Sequence, residues 1–319
     1  MKSLVEGLRT LLILGRVSNL LTVWSNLVAG WILAESGSET FARLGVLIAG
    51  GSSLYIGGMF LNDYCDATFD ARYCPQRPIP SGKISRTAVG WIAGLWFMIG
   101  LACLALLGIA TTAMALLLVA AILLYDFHHK NVPWAPLIMG LCRALLYMVA
   151  FAAVRGFDVV LQARYFWPQF LLAGTLGFYV AGITYFARGE SRPKKPTRWA
   201  LGLVFMPVLV QFGLHLAFPS PIPFSSYFQA WPWEFWFPWY LWEESWIPYC
   251  LLFLGWISWL LVPFWRGKKT SVRRLVSGML AGIILVDMIA VAPVLGGQAP
   301  LLLLLFPVAL LLQRIIPAT

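Results

Sequence analysis

Long apolar runs alternate with short polar segments along the whole chain. A helix rises about 1.5 Å per residue, so about 20 apolar residues in a row are enough to cross the hydrocarbon core of a bilayer. The pattern predicts an all-α, polytopic transmembrane bundle of nine to ten spans that forms a single domain over residues 1–319. The apolar runs of spanning length lie near residues 11–34, 43–62, 86–108, 110–125, 134–154, 166–187, 198–218, 247–265, 273–293 and 299–316.

Composition also places the chain in a membrane. The 319 residues are 60% hydrophobic and 11% charged, with a mean hydropathy of +0.79, and a soluble domain of this size would not bury so much apolar surface. The net charge of +10 does not indicate a nucleic-acid partner, because most of the 23 lysines and arginines fall in alternate loops. This asymmetry is typical of cytoplasmic loops. It predicts a multi-pass protein of the bacterial inner membrane or an equivalent organelle membrane, with the N-terminus in the cytoplasm.

One polar stretch at the end of the second apolar run stands apart from the rest of the chain. Asn62, Asp66 and Asp70 are spaced four residues apart, so they share one face of a helix with about 3.6 residues per turn. Carboxylates are costly at the edge of a membrane, which favours a functional role. Two carboxylates and an amide form an oxygen-only donor set that suits Mg²⁺, an ion that takes its remaining ligands from water and a substrate phosphate.

Basic residues accompany this acidic face. Arg72, Arg77 and Lys83 follow it directly, while Lys130 and Arg188 lie in loops predicted on the same side of the membrane. Guanidinium and ammonium groups bind phosphate oxygens. The sequence therefore predicts a diphosphate site at the cytoplasmic ends of the spans.

Several other polar groups admit more than one interpretation. His128 and His129 are adjacent and cannot share a helix face, so solvation or a phosphate contact is favoured over metal binding. Glu190 stands among basic residues, either as a solvated loop side chain or as a ligand. Arg143 and Asp287 lie inside predicted spans, where each needs a partner, either structural or functional.

The motif residues resemble the UbiA superfamily of intramembrane prenyltransferases. The first signature of that family is an Asn-x-x-x-Asp-x-x-x-Asp run, often followed by Arg-Pro-Ile-Pro-Ser-Gly. This chain has Asn62, Asp66 and Asp70, and residues 77–82 have the second sequence. The motif match covers roughly the first 190 residues, and hydropathy alone extends it over the remainder.

Further positions match the family outside this signature. Tyr125 and Lys130 correspond to a tyrosine that stands five residues before a lysine after the fourth helix. Arg16 and Asn19, together with the later Asn26, resemble the arginine and asparagine positions of the family's first helix.

The chain departs from the family in its second acidic motif, at the end of the sixth helix. The usual acidic positions fall on Ile183 and Phe186, and only Glu190 remains. This pattern resembles a divergent EboC-like branch, and it leaves open whether one or two Mg²⁺ ions bind.

The resemblance implies Mg²⁺-dependent transfer of an isoprenoid group from an allylic prenyl diphosphate to a small-molecule acceptor. The acceptor is either lipophilic or a secondary metabolite. The reaction takes place at a central cavity that is open to the cytoplasmic face and to lipid. The predicted partners are the donor, the acceptor and the lipid bilayer, without nucleic acid. The residues implied are Asn62, Asp66, Asp70, Tyr125 and Lys130 for catalysis; Arg16, Asn19, Arg72, Arg77, Lys83 and Arg188 for donor binding; and Asn62, Asp66, Asp70 and Glu190 for the metal.

Two alternatives stay open. The depleted second motif is compatible with a non-catalytic protein that binds, presents or transports a prenylated or lipid-linked metabolite. An ion-coupled transporter would use Arg143 and Asp287 as charges within the membrane, but the chain shows no inverted halves that would support it.

Overall fold

The structure is a computed structural model that describes residues 2–34, 40–130, 132–157, 163–188, 198–217, 246–265, 272–295 and 300–316. These residues form helices and no strands. The helices are α1 Lys2–Leu14, α2 Leu20–Leu33, α3 Phe41–Tyr73, α4 Arg86–Ala105, α5 Ile109–His128, α6 Ala135–Arg155, α7 Ala163–Ala187, α8 Arg198–Ala217, α9 Trp246–Trp265, α10 Val272–Ala281, α11 Ile283–Leu295, α12 Pro300–Leu303 and α13 Leu305–Ile315.

The helices confirm the predicted membrane bundle. Within the described ranges, eight helices or unbroken helix pairs are long and apolar enough to cross a membrane, and the bent pair of α1 and α2 raises this to nine. The tenth predicted run corresponds to α12 and α13, which together form a shorter apolar segment, Pro300–Ile315. The chain is therefore a multi-pass integral membrane protein.

The second predicted span extends well beyond its apolar run. Helix α3 has 33 residues, which corresponds to about 50 Å of helix, whereas the hydrocarbon core is about 30 Å thick. The polar turns from Asn62 to Tyr73 thus continue the helix at one end of the bundle. A tight loop follows, and Ser85 accepts a hydrogen bond from the Ala88 main-chain N–H at 3.2 Å to cap α4.

Two arginines mark the opposite end of the bundle. Arg43, near the start of α3, donates to the Ala153 carbonyl at 2.8 Å, and Arg155 donates to the Ala34 carbonyl at 2.6 Å. Both bonds satisfy carbonyl groups at helix C-termini, which lack partners within their own helices. The acidic motif and these arginines therefore lie at opposite ends of the molecule, as the alternation of charge along the chain predicts.

Helix α6 lies at the centre of the bundle. It packs against α2, α5 and α7, and two clusters of buried apolar side chains meet on it. Its contact with α7 is very close at two glycines, because a Cβ added to Gly140 would lie 2.2 Å from the carbonyl oxygen of Gly177. Small residues of this kind allow membrane helices to approach backbone to backbone.

This contact gives a stability prediction. We expect Gly140→Ala to reduce the free energy of unfolding by about 1–3 kcal/mol, because the new methyl group forces α6 and α7 apart. Gly174→Ala is the matched control, since a Cβ there meets nothing within 4 Å. The measurement is the fraction of monodisperse protein that survives heating in detergent. Equal survival of the two variants would contradict the close α6–α7 contact.

Candidate active site

Arg16 lies at the break between α1 and α2. Its φ and ψ are 42° and 48°, in the left-handed region that residues with a Cβ rarely adopt. The helical segments on its two sides are bent by 52°. Arg16 Nη2 lies 3.2 Å from Asn62 Oδ1 and 3.4 Å from Asp63 Oδ1. The strained backbone thus directs a guanidinium toward the acidic face of α3.

The strain predicts an unusual order of stability. Arg16→Gly and Arg16→Ala both lose the guanidinium, but only alanine keeps a Cβ in the left-handed region, so we expect the glycine variant to be more stable by up to about 1 kcal/mol. At Thr10, within α1, the order of the same two substitutions reverses, since glycine weakens a helix. Thermal unfolding of the four variants measures both orders, and a more stable Arg16→Ala would show that the backbone is unstrained.

Asn62 joins α3 to α5. Its side chain is buried, and Nδ2 donates to Asp126 Oδ1 at 3.0 Å while Oδ1 accepts from Arg16. The two partners together assign the orientation of the amide. The other oxygen of Asp126, Oδ2, is buried and accepts no hydrogen bond from a described residue.

Asp66 pairs with the end of α5. Lys130 Nζ lies 2.5 Å from Asp66 Oδ1, and His129 Nε2 lies 3.4 Å from the same oxygen. Lys130 Nζ also lies 4.3 Å from the centroid of the Phe69 ring, and the His129 ring stacks on Tyr125 at 4.9 Å. Burial lowers the pKa of His129, although the Asp66 carboxylate opposes this effect. Burial therefore disfavours protonation of the imidazole, and the Lys130 ammonium is the closer of the two groups to Asp66.

Asp70 pairs with the loop that follows α3. Arg77 Nη1 lies 2.8 Å from Asp70 Oδ2 and 3.8 Å from Asp63 Oδ1. Burial disfavours the charge of Arg77, but the carboxylates of Asp70 and Asp63 more than offset it, so the pKa of Arg77 is raised. Turns within residues 74–83 position this arginine, and Gly82 has a φ of 74° that only glycine adopts without strain.

A cavity of about 200 Å³ lies beside these ion pairs. Arg16, Tyr125 and Asp126 line it on the side of the acidic motif, and Asn19, Tyr55 and Arg143 also reach its wall. The remaining wall is mostly apolar and includes Met59, Leu118, Ile122, Met139, Leu146, Val180, Ile183, Val276 and Leu280. A largely apolar cavity with a few convergent polar groups is the usual form of a small-molecule site.

The other residues predicted from the sequence to bind the donor or the metal lie in different surroundings. Arg72 and Lys83 are exposed, and neither forms an ion pair with a residue of the described ranges. Asn19 is buried on the cavity wall, and its Oδ1 accepts a hydrogen bond from Gln313 Nε2 at 3.4 Å. Glu190 lies outside the described residues, so its role as a metal ligand stays a prediction.

Arg188 supports the loop that carries Lys130. It donates to the main-chain carbonyls of His129, Val132 and Pro133 at 2.9, 2.8 and 2.8 Å. These bonds connect the end of α7 to the end of α5. Its hydrogen bonds are with the backbone, and its guanidinium carbon lies 5.9 Å from the centroid of the Tyr185 ring. The predicted contact with a diphosphate stays a prediction.

The donor set of α3 fits a hard cation, although the described residues contain no preformed cluster of three His, Cys, Asp or Glu side chains. Asn62, Asp66 and Asp70 share one helix face and are 8%, 9% and 3% exposed. Asp66 Oδ1 accepts no aligned hydrogen bond from a described residue, despite the nearby ammonium group. Carboxylate and amide oxygens with unused lone pairs suit Mg²⁺ when phosphate and water complete the shell.

Sequence reasoning missed two acids of this site. Asp63 follows Asn62 directly and contacts both Arg16 and Arg77, and Asp126 follows Tyr125 and contacts Asn62. Asp63 falls outside the four-residue spacing, which is why the helical pattern left it out. Asp126 stands four residues before Lys130, and that spacing is the signal that could have identified it.

Residues 22–277 match the model of the UbiA prenyltransferase family, which is most of the chain. The chain belongs to the UbiA prenyltransferase family. It is 30% identical over 143 residues to a 4-hydroxybenzoate octaprenyltransferase of Polynucleobacter asymbioticus, a match that covers 44% of this chain and 50% of the relative. It is 32% identical over 110 residues to a digeranylgeranylglyceryl phosphate synthase of Pyrococcus abyssi, which covers 34% and 39%. The chain thus spans half the length or less of the curated relatives it matches.

Solved UbiA structures share the fold. An apo UbiA homolog from Aeropyrum pernix K1 superposes with a TM-score of 0.61 at 17% identity, over 84% of this chain and 94% of that chain. A UbiA homolog from Archaeoglobus fulgidus, bound to GPP and Mg²⁺, superposes with a TM-score of 0.55 at 16% identity, over 89% and 99%. At these identities the similarity establishes the fold and not the activity.

The positions of α7 at which the family resemblance predicts the second acidic motif are apolar in this chain. Ile183 and Phe186 are each 2% exposed, and Ile183 lines the cavity. The departure seen in the sequence is therefore also a change in the wall of the site. The assignment to an EboC-like branch stays a prediction.

Proposed function

We propose that this protein transfers an isoprenoid group from an allylic prenyl diphosphate to a lipophilic or secondary-metabolite acceptor, and that Mg²⁺ assists the reaction. One observation carries the proposal. Beside the cavity, three carboxylates of α3 each face a basic side chain from a different segment: Asp63 faces Arg16, Asp66 faces Lys130 and Asp70 faces Arg77. The site thus has both the acids that a cation needs and the bases that a diphosphate needs.

Binding of the donor would redistribute these pairs. Lys130, Arg77 and Arg16 would turn part of their charge toward the diphosphate oxygens, while Asn62, Asp66 and Asp70 would hold Mg²⁺. The ion would neutralise negative charge on the leaving diphosphate. The homolog from Archaeoglobus fulgidus is bound to GPP and Mg²⁺, which supports a prenyl diphosphate and Mg²⁺ as the ligands of this fold.

The cavity would then contain the reacting centre. The bond between C1 of the prenyl group and the diphosphate oxygen breaks, a bond between C1 and the acceptor forms, and the acceptor loses a proton. Positive charge develops on the allylic carbons, and an aromatic face such as that of Tyr55 or Tyr125 stabilises a cation by about 1–2 kcal/mol. The apolar wall excludes water, which would otherwise capture the cation.

The direct test of turnover uses the purified protein in lipid membranes together with labelled geranylgeranyl diphosphate. An extract of native lipids and metabolites is added as the source of the acceptor. We expect diphosphate release together with a new labelled product, both dependent on Mg²⁺. Binding of the donor without any product would contradict the catalytic proposal.

A second candidate function is a non-catalytic membrane protein that binds, presents or transports a prenylated or lipid-linked metabolite. The observation that favours it is the apolar face of α7 at Ile183 and Phe186, where the resemblance to the family predicts acids. The same turnover assay separates the two candidates, because only the enzyme releases diphosphate.

We also propose that the end of the bundle with the acidic motif faces the cytoplasm. The distribution of lysine and arginine supports this orientation. A fluorescent or protease-sensitive tag placed after Lys83 would be accessible from the cytoplasmic side, and access from the other side would reverse the orientation.

A further inference from the structure

Arg143 is a buried charge on the cavity wall that the proposed mechanism does not use. It lies in the middle of α6, is 7% exposed and lines the cavity together with Cys142 and Leu146. A guanidinium in such a largely apolar environment is costly unless it has partners for its charge and its hydrogen bonds.

A hydrogen-bond network holds Arg143 in place. Arg143 Nη1 donates to Asn26 Oδ1 at 2.9 Å, and Asn26 Nδ2 donates to Asp287 Oδ1 and Oδ2 at 3.0 and 2.8 Å. Ser25 Oγ and the Tyr147 hydroxyl donate to the same carboxylate at 2.5 and 2.6 Å. Four side chains from three helices therefore fix the side of the guanidinium that faces away from the cavity.

Asn26 separates Arg143 from Asp287. Within the described ranges, Arg143 forms no direct ion pair, and its bond to Asn26 is the one hydrogen bond that it donates. Guanidinium carries five N–H donors, so most of them are left for another partner. The Tyr55 ring, 5.6 Å from the guanidinium carbon, covers one face of the group and leaves its edge as the site of hydrogen bonding.

We propose that Arg143 binds an oxyanion, a carboxylate or a phosphate, carried by the acceptor substrate. The planar fork of an arginine matches two oxygens of either group, and the apolar walls around it suit a ligand with an apolar body. The acceptor class is thus a small acidic molecule whose acidic group points at Arg143 and whose reactive atom points toward the acidic motif. This inference rests on the proposed function, because it assumes that the cavity receives an acceptor.

Arg143 could instead serve only to balance the charge of Asp287 through Asn26. The two roles differ in what they predict for ligand selectivity. A structural arginine affects stability alone, whereas an anchoring arginine distinguishes an acid from its neutral analogue. Tyr147→Phe provides a control, because it removes one hydrogen bond from the network at a residue that does not line the cavity.

The test measures equilibrium binding to the full-length protein in lipid nanodiscs. One arm compares 4-hydroxybenzoate with 4-hydroxybenzyl alcohol, and the other compares geranylgeranylglyceryl phosphate with geranylgeranylglycerol. We expect the acid of one arm to bind at least about ten-fold more tightly than its neutral analogue, and that arm identifies the oxyanion. Arg143→Met should abolish the preference, Arg143→Lys should reduce it, and Tyr147→Phe should keep it while it lowers the melting temperature.

Geranyl diphosphate binding, measured on each variant, separates this inference from the proposed function. Two results with normal donor binding would overturn the role of Arg143 and leave the proposed function intact. In the first, the unmodified protein prefers neither acid to its neutral analogue. In the second, the preference for an acid survives in Arg143→Met. Loss of donor binding in the unmodified protein would instead overturn the proposed function. If Arg143→Met fails to fold, the test uses Arg143→Lys instead. The proposal would then be overturned if folded Arg143→Lys binds the acid as selectively as the unmodified protein does.

Discussion

Asp66→Asn should weaken Mg²⁺-dependent binding of geranyl diphosphate by about 100-fold or more. The substitution keeps the shape of the side chain but removes the charge of the carboxylate that lies at the centre of the acidic face, between Asn62 and Asp70. Asp66 is buried, and its Oδ1 already faces the cation of Lys130 at 2.5 Å, so its carboxylate is placed where a positive charge is bound. Electrostatic contacts of this kind in water-poor sites contribute several kcal/mol.

The matched control for Asp66→Asn is Glu6→Gln, which removes the same charge from an exposed acid on α1, outside the acidic motif. Both variants should insert into membranes and elute as the unmodified protein does. Donor binding that is equal in Asp66→Asn and Glu6→Gln would contradict a metal site on α3.

Lys130→Met should weaken donor binding by about 10- to 100-fold, the usual cost of one charge-assisted hydrogen bond. Lys130 Nζ lies 2.5 Å from Asp66 Oδ1 and 4.3 Å from the centroid of the Phe69 ring, so it is held over the acidic face. Methionine keeps the apolar stem but loses the charge. Titration of labelled geranyl diphosphate at constant Mg²⁺ measures the effect.

Lys83→Met is the informative comparison for Lys130→Met. Both lysines are predicted from the sequence to bind the diphosphate, but Lys83 is exposed and forms no ion pair with a described residue. We expect Lys83→Met to weaken donor binding by no more than a few-fold, because solvent and salt screen the interactions of exposed charges. A larger loss for Lys83 than for Lys130 would show that the loop after α3 closes over the donor.

The sequence predicted the fold because membranes constrain it so strongly. Every backbone group in the hydrocarbon core must be bonded within its own helix, so apolar runs of about 20 residues identify the spans without any knowledge of packing. The four-residue spacing of Asn62, Asp66 and Asp70 likewise depends only on the geometry of one helix. Helix α3 continues to Tyr73, so the three residues do lie on one face of a helix.

The partners of the acids could not be predicted in the same way, because they come from distant segments. Asn62 contacts Asp126 across 64 positions of sequence, and no helical period relates the two. The buried network of Asp287 joins residues separated by as many as 262 positions. The sequence predicts that Arg143 and Asp287 each need a partner, but the bridging role of Asn26 appears only when the helices are packed.

The measurement that tests the central claim most directly is the affinity of the purified protein for geranyl diphosphate with Mg²⁺, with the chelator EDTA, and in Asp66→Asn. The account predicts tight binding with Mg²⁺ that falls by about 100-fold or more on chelation and on substitution, with no further effect when the two are combined. Binding that is indifferent to both would contradict a cation-assisted diphosphate site on α3.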